Sequence, residues 1–158
     1  MRNYVVFLSM IFCLVLSSCA KEAEAPVTEN ADAATQIEET EESIMQIKIS
    51  SGEYEIIYQL NDSKAAQELY SQLPLTTNAE PFSNNEMTFY PPDKLDTADT
   101  PLSGGKAGSL SYYAPWGDVV MFYAPCTPNN SLYELGDVVS GKENIEKLAG
   151  EITVSVYK

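Results

Sequence analysis

From residue 44 onward, apolar side chains recur at every second position in short runs, and Gly, Pro, Asn or Asp breaks each run. A two-residue period suits a strand with one buried face, because successive side chains leave opposite faces of a sheet. In residues 44–50, Met45, Ile47 and Ile49 alternate with Ile44, Gln46 and Lys48. Ser51 and Gly52 then supply a turn, and 54–60 resumes the run, which predicts a β-hairpin. Asn61, Asp62 and Ser63 offer N-caps to a helix over 64–73, where Ala65, Leu69 and Leu73, with Ala66 and Tyr70, fall at helical spacing before Pro74. Short strands are expected at 75–77 and 86–90, the second stopped by Pro91 and Pro92.

Residues 93–108 are rich in Asp, Thr, Pro and Gly and read as a long loop, which either carries function or ranges over the surface. The most strand-like runs are 108–114 and 118–124, joined through Pro115, Trp116 and Gly117. Another strand follows at 132–139. After Gly141 comes a short helix with Ile145 and Leu148 on one face, ended by Gly150. In 151–157, Ile152, Val154 and Val156 alternate inward. The expected fold class is mainly β: a closed or nearly closed barrel with two short helices over its open ends.

The first 43 residues follow different rules. Met1, Arg2 and Asn3 make a short basic start, and 4–16 is apolar and uncharged. That is the layout of a secretory signal peptide, and it falls short of the roughly 18 residues that span a bilayer. It ends in Leu16, Ser17, Ser18, Cys19, which resembles the lipobox of bacterial lipoproteins. The resemblance implies cleavage after residue 18 and diacylglycerol on the Cys19 sulfur, with the new amino terminus often acylated as well. Acyl chains of that number anchor stably, since each buried CH₂ contributes about 0.8 kcal/mol. The expected organisation is therefore a signal peptide at 1–18, a lipidated Cys19 opening a tether at 19–43, and one domain at 44–158. The tether carries eight acids against Lys21 and has no hydrophobic periodicity, a composition that predicts a disordered, self-repelling spacer. The expected location is a cell membrane or outer envelope, with the domain outside the cytoplasm.

Charge and composition close several function classes. Fifteen acids and seven lysines in 44–158 leave eight net negative charges, with no positive patch to neutralise phosphates, which argues against nucleic acid as a partner. Cys13 leaves with the signal and Cys19 takes lipid. Cys126 is then a lone thiol that cannot form an internal disulfide and reads as a packing residue near a turn. Histidine is absent, and the only arginine is Arg2, inside the segment to be removed. His-based acid–base catalysis, Ser/His or Cys/His nucleophile pairs and histidine metal sites are thereby excluded. Asp93, Asp96, Asp99 and Asp118 lack the spacing of a Ca²⁺ loop and read as solvated acids, so neither a metal nor a cofactor is expected.

The run from Gly108 to Tyr123, GSLSYYAPWGDVVMFY, resembles the minimal bacterial branch of the cyclophilin-like fold. LYELGDVVSGKENIEKL at 132–148, the opening hairpin and helix, and FYPPDKL at 89–95 are similar to the same branch, so the resemblance covers nearly all of 44–158. Cyclophilins are peptidyl-prolyl isomerases whose activity depends on an arginine that polarises the prolyl amide, in a motif with Phe, Met and Gln. That motif has no counterpart here, and lysine lacks the planar two-donor fork of a guanidinium.

The resemblance also implies a groove lined by aromatic and Met side chains. The candidates are Phe89, Tyr90, Tyr113, Trp116, Met121 and Phe122, with Trp116 foremost because core packing explains it least well in a turn between Pro115 and Gly117. Alternation sends some members of this aromatic stripe inward as packing. The expected function is a membrane-tethered, extracytoplasmic binding module for a peptide or small molecule, without prolyl isomerase activity. The alternative is a weak or atypical isomerase.

Overall fold

The computed structural model describes residues 44–158; the expected signal peptide, lipidated cysteine and tether lie outside them. Eight strands form a closed antiparallel barrel. In chain order they are β1 (Gln46–Ser51), β2 (Tyr54–Leu60), β3 (Leu75–Phe82), β4 (Glu86–Phe89), β5 (Ser109–Tyr113), β6 (Asp118–Phe122), β7 (Leu132–Ser140) and β8 (Gly150–Tyr157). Helix α1 (Lys64–Ser71) follows β2, and a 3-10 helix (Lys142–Lys147) joins β7 to β8. Around the barrel the order is β1, β2, β7, β5, β6, β4, β3, β8, and β8 pairs back onto β1.

Alternation fills the interior as the sequence requires. Ile47 and Ile49 of β1, Ile56 and Tyr58 of β2, Met87 and Phe89 of β4, Leu110 and Tyr112 of β5, Val119 and Met121 of β6, and Ile152 and Val154 of β8 share one buried cluster. The helices complete it. Ser63 caps α1 by accepting the Ala66 N–H, and Ala65, Ala66 and Leu69 turn inward. The 3-10 helix touches both β2 and β4, four places apart in a ring of eight, so it lies across one mouth of the barrel. It meets β2 at that strand's beginning, where the Asn144 side-chain amide donates to the Glu55 carbonyl at 3.1 Å. Helix α1 follows the other end of β2, so the two helices close opposite mouths.

One strand departs from the sequence expectation. β3 runs to Phe82 rather than stopping near residue 77, because Asn78 and Ala79 pair with Glu151 and Gly150, and Pro81 pairs with Met87. These residues are poor strand formers, and pairing with β8 as far as Ala79 and with β4 from Glu80 overrides that preference. The short helix expected after Gly141 forms as a 3-10 helix, Lys142–Lys147.

The 93–108 segment is more firmly held than a surface excursion. Leu95, Thr100 and Ser103 are buried, and Leu102 bridges to Tyr133. The Lys64 N–H donates to Asp99 at 3.0 Å, Lys64 also pairs with Asp96, and the Leu95 N–H donates to the Tyr112 hydroxyl at 3.1 Å.

β7 carries the tightest constraint. Its pairing shifts register against both neighbours, between Ile57 and Tyr58 on β2 and between Leu110 and Ser111 on β5. Here a Cβ on Gly136 would stand 2.1 Å from the Gln59 carbonyl oxygen, a backbone atom that cannot step aside. Gly136→Ala is expected to destabilise the barrel by about 1–3 kcal/mol or more, as overpacked sites do. Gly104→Ala, where nothing lies within 4 Å, should change stability by less than about 0.5 kcal/mol. Urea unfolding followed by circular dichroism checks the pair.

Candidate functional site

Inward alternation on β4, β5 and β6 fixes what those strands show outside. Glu86 stands opposite Phe122, Ser111 opposite Val120, and Tyr113 opposite both Asp118 and Leu132, all on the outer face. Val120, Phe122 and Leu132 form a second apolar cluster there, separate from the barrel core, with Tyr113 and Cys126 against it. β6 is therefore buried on both faces along its whole length.

A cavity of about 430 Å³ opens on this outer cluster. Its floor is Glu86, Asp118, Val120, Phe122 and Leu132. One wall is the β3–β4 turn, Phe82 to Asn85, in which Ser83 adopts a left-handed φ of 57° that costs a non-glycine residue free energy. The opposite wall is the 125–129 segment with Cys126. Backbone bonds hold that wall: Tyr123 and Ala124 donate to the Asn85 carbonyl at 3.0 and 3.1 Å, and Cys126 donates to the Gly105 carbonyl at 2.8 Å. Gly105 has a φ of +61°, and a Cβ there would meet the Cys126 sulfur at 2.3 Å, so the close approach needs glycine. Trp116 forms the lip. Its ring meets those of Phe82 and Tyr113 edge to face at 5.2 and 5.4 Å, and it stays 52% exposed.

The charged groups of the cavity are acidic. Asp118 is 2% exposed, and its Oδ1 has no hydrogen-bond partner among the described residues. Burial raises its pKa above the ordinary carboxylate value, with its own backbone N–H pulling the other way. The Glu86 carboxyl is pushed up to about 7, first by burial and then by the negative charge of Asp118. Burial also raises the Cys126 thiol, with Glu86 adding to the effect, so it stays protonated and weakly nucleophilic. No lysine lines the cavity.

The structure brings together Tyr113, Trp116 and Phe122 of the six groove candidates. Phe89 and Met121 are fully buried inside the barrel, since β4 and β6 pair with Phe89 facing Val119 and Met87 facing Met121 on the inner side. Tyr90 is 56% exposed just past β4, away from the cavity. Asp118, read from sequence as a solvated acid, is instead the buried first residue of β6. Phe82, Glu86 and Cys126 were not singled out as groove residues. The signal for the acids was present: with Met87 and Phe89 inward, Glu86 must face outward, and an acid opening an otherwise apolar strand must sit beside its neighbours' outer side chains.

The model of the Cyclophilin-like family matches residues 49–157, the whole barrel apart from the first three residues of β1. The chain belongs to the cyclophilin-like family. The cyclophilin-like barrel is also similar to the solution structure of a hypothetical protein from Archaeoglobus fulgidus. That likeness has a TM-score of 0.57 at 14% identity, covers 72% of this chain and 95% of that one, and speaks for the fold alone. No curated protein matches this cyclophilin-like sequence.

The raised Glu86 carboxyl gives a pH dependence with a definite sign. Its folded pKa, about 7, lies above its ordinary value of 4.5, so the fold binds the proton more tightly than the unfolded chain does. Stability is fully supported by the protonated form below pH 4.5, falls as pH rises towards 7, and is level beyond that. Asp118 acts in the same direction. Melting temperature should therefore decline between pH 4.5 and 7, and Glu86→Gln should flatten part of that decline, as thermal unfolding at a series of pH values will read. In the same assay at fixed pH, Phe89→Ala should cost about 3–5 kcal/mol and Trp116→Ala much less, because only the first removes a fully buried ring.

Proposed function

We propose that this protein is a lipid-anchored, extracytoplasmic cyclophilin-like binding module that receives a peptide or small molecule in the outer cavity at Trp116 and does not catalyse prolyl isomerisation. The observation that carries this reading is the lining of the cavity: an aromatic lip, a hydrophobic floor and two carboxylates, with no cationic side chain. Prolyl isomerisation in cyclophilins relies on an arginine that polarises the amide. Here carboxylates occupy the floor, and an ionised carboxylate accepts hydrogen bonds rather than donating them. Half-exposed aromatic rings around a concave apolar patch are what ligand cavities use for contact area.

The anchor rests on the sequence, from the basic start and apolar run to Leu16, Ser17, Ser18 and Cys19. Among the described residues no helix is long and apolar enough to cross a membrane. In this reading residues 1–18 are removed, and 19–43 hold the barrel away from a surface that its acids would otherwise repel.

One observation favours a second reading, a weak and atypical isomerase. With its pKa at about 7, the Glu86 carboxyl is partly protonated near neutrality and can donate one hydrogen bond. A single donor is still not the bidentate fork of a guanidinium.

Two experiments test the proposal. On expression in a bacterial host, the chain should partition into the detergent phase of a Triton X-114 extract, and Cys19→Ser should move it to the aqueous phase. Partitioning unchanged by that substitution overturns the anchor. In a protease-coupled prolyl isomerisation assay, the purified protein should match the uncatalysed rate. Turnover that is lost in Trp116→Ala and declines above pH 7 would establish the second reading instead.

A further inference from the structure

Asp118 poses a physical problem that the protein's own residues leave unsolved. A carboxylate that is 2% exposed normally has a cation or several donors around it, yet one of its oxygens has no partner among the described residues. The second carboxylate, Glu86, lines the same cavity. Among the described residues no ion pair involves Glu86 or Asp118, and no lysine lines the cavity. The negative charge of this cavity is therefore left for something external to balance.

The other walls narrow what that is. Trp116 offers an indole, the aromatic ring with the strongest attraction for a cation over its face, and it stands half exposed at the lip beside Phe82 and Tyr113. A bare metal ion would gain nothing from this aromatic lip, and hard cations take six or more oxygen ligands. Among the described residues no group of three or more His, Cys, Asp or Glu is placed to hold a metal. An organic cation suits both halves of the cavity, since its charge answers the acids and its alkyl part lies on Val120, Phe122 and Leu132. The volume of about 430 Å³ is at the lower end of ligand cavities, enough for one side chain and its flanks.

We propose that the outer cavity is selective for an alkylammonium group, carried by a peptide lysine or a free amine, held between the carboxylates of Glu86 and Asp118 and the aromatic lip of Phe82 and Trp116. The inference rests on the cavity being the binding site, and it adds the chemistry of the ligand. Glu86 pairs with the ammonium from the open side, and Asp118 acts from beneath as a buried negative charge. The neutral Asn84, Asn85 and Asn129 on the walls offer amide oxygens for its remaining N–H groups.

Trp116 is the only tryptophan in the chain, so its fluorescence reports this cavity directly. The full-length protein in detergent would be titrated at constant ionic strength with n-butylammonium and with acetyl-Ala-Lys-Ala-amide. The neutral counterparts are n-butanol and the same peptide with norleucine in place of lysine. The ammonium probes should give a saturable change, with the neutral ones at least about tenfold weaker, the order expected for losing one charge contact. Asp118→Asn and Glu86→Gln should each weaken the ammonium probes by at least about tenfold. Glu86→Gln, at a partly exposed site, keeps the test open if Asp118→Asn alters folding. Neutral probes binding as tightly, or Glu86→Gln binding the ammonium probes as the unaltered protein does, overturns the cation assignment and leaves the cavity as a site. Absence of a saturable change with all four probes overturns the cavity reading itself.

Discussion

Closure of the sheet on itself is the constraint from which the other features follow. Once β8 pairs with both β1 and β3, no strand edge remains, and every residue of every strand is assigned to the inside or the outside of a ring. The inside is filled by branched aliphatic and aromatic side chains, with the two helices stopping the mouths. Function in such a barrel has to be built on the outer face, from residues the core cannot use. The cavity beside Trp116 arises where β6 and the start of β7 carry a second apolar layer outward, beside Tyr113 of β5.

That arrangement also explains why the acids of the cavity are perturbed. Asp118 and Glu86 are ordinary outward positions on β6 and β4, and on a bare barrel they would be solvated. They line one cavity with the 125–129 segment and the Phe82 turn, and there Asp118 is buried and Glu86 half-buried. The wall is held by backbone hydrogen bonds to Asn85 and Gly105 rather than by side-chain ion pairs, and salt screens such contacts little.

Much of the fold was legible in the sequence because two-residue alternation and turn residues mark strands regardless of tertiary context. The opening hairpin and the final strand follow that pattern closely, and α1 follows the helical spacing of Ala65, Ala66 and Leu69. β3 was half hidden, since Asn78 is in a strand only through its partner on β8, and Glu80 and Pro81 only through theirs on β4, which propensity alone does not reveal. The site was legible in part. Trp116 stood out because a turn gives it no core to join, whereas Phe89 and Met121 looked alike to Phe122 until strand phase sorted inside from outside. Cys126 and Gly105 meet across 21 residues of chain, a contact that depends on how two loops fold over the barrel.

The pairing that closes the barrel joins Gln46 to Tyr157, nearly the full length of the domain. Such a ring cannot close until its last strand has been made, because its first strand waits for it. Sequence-distant pairings of this kind place the loop-closure entropy before the reward, and they slow folding relative to local topologies. Until β8 is in place, β1 and β3 each keep an unpaired edge, so a partly finished barrel exposes backbone groups that the closed ring satisfies.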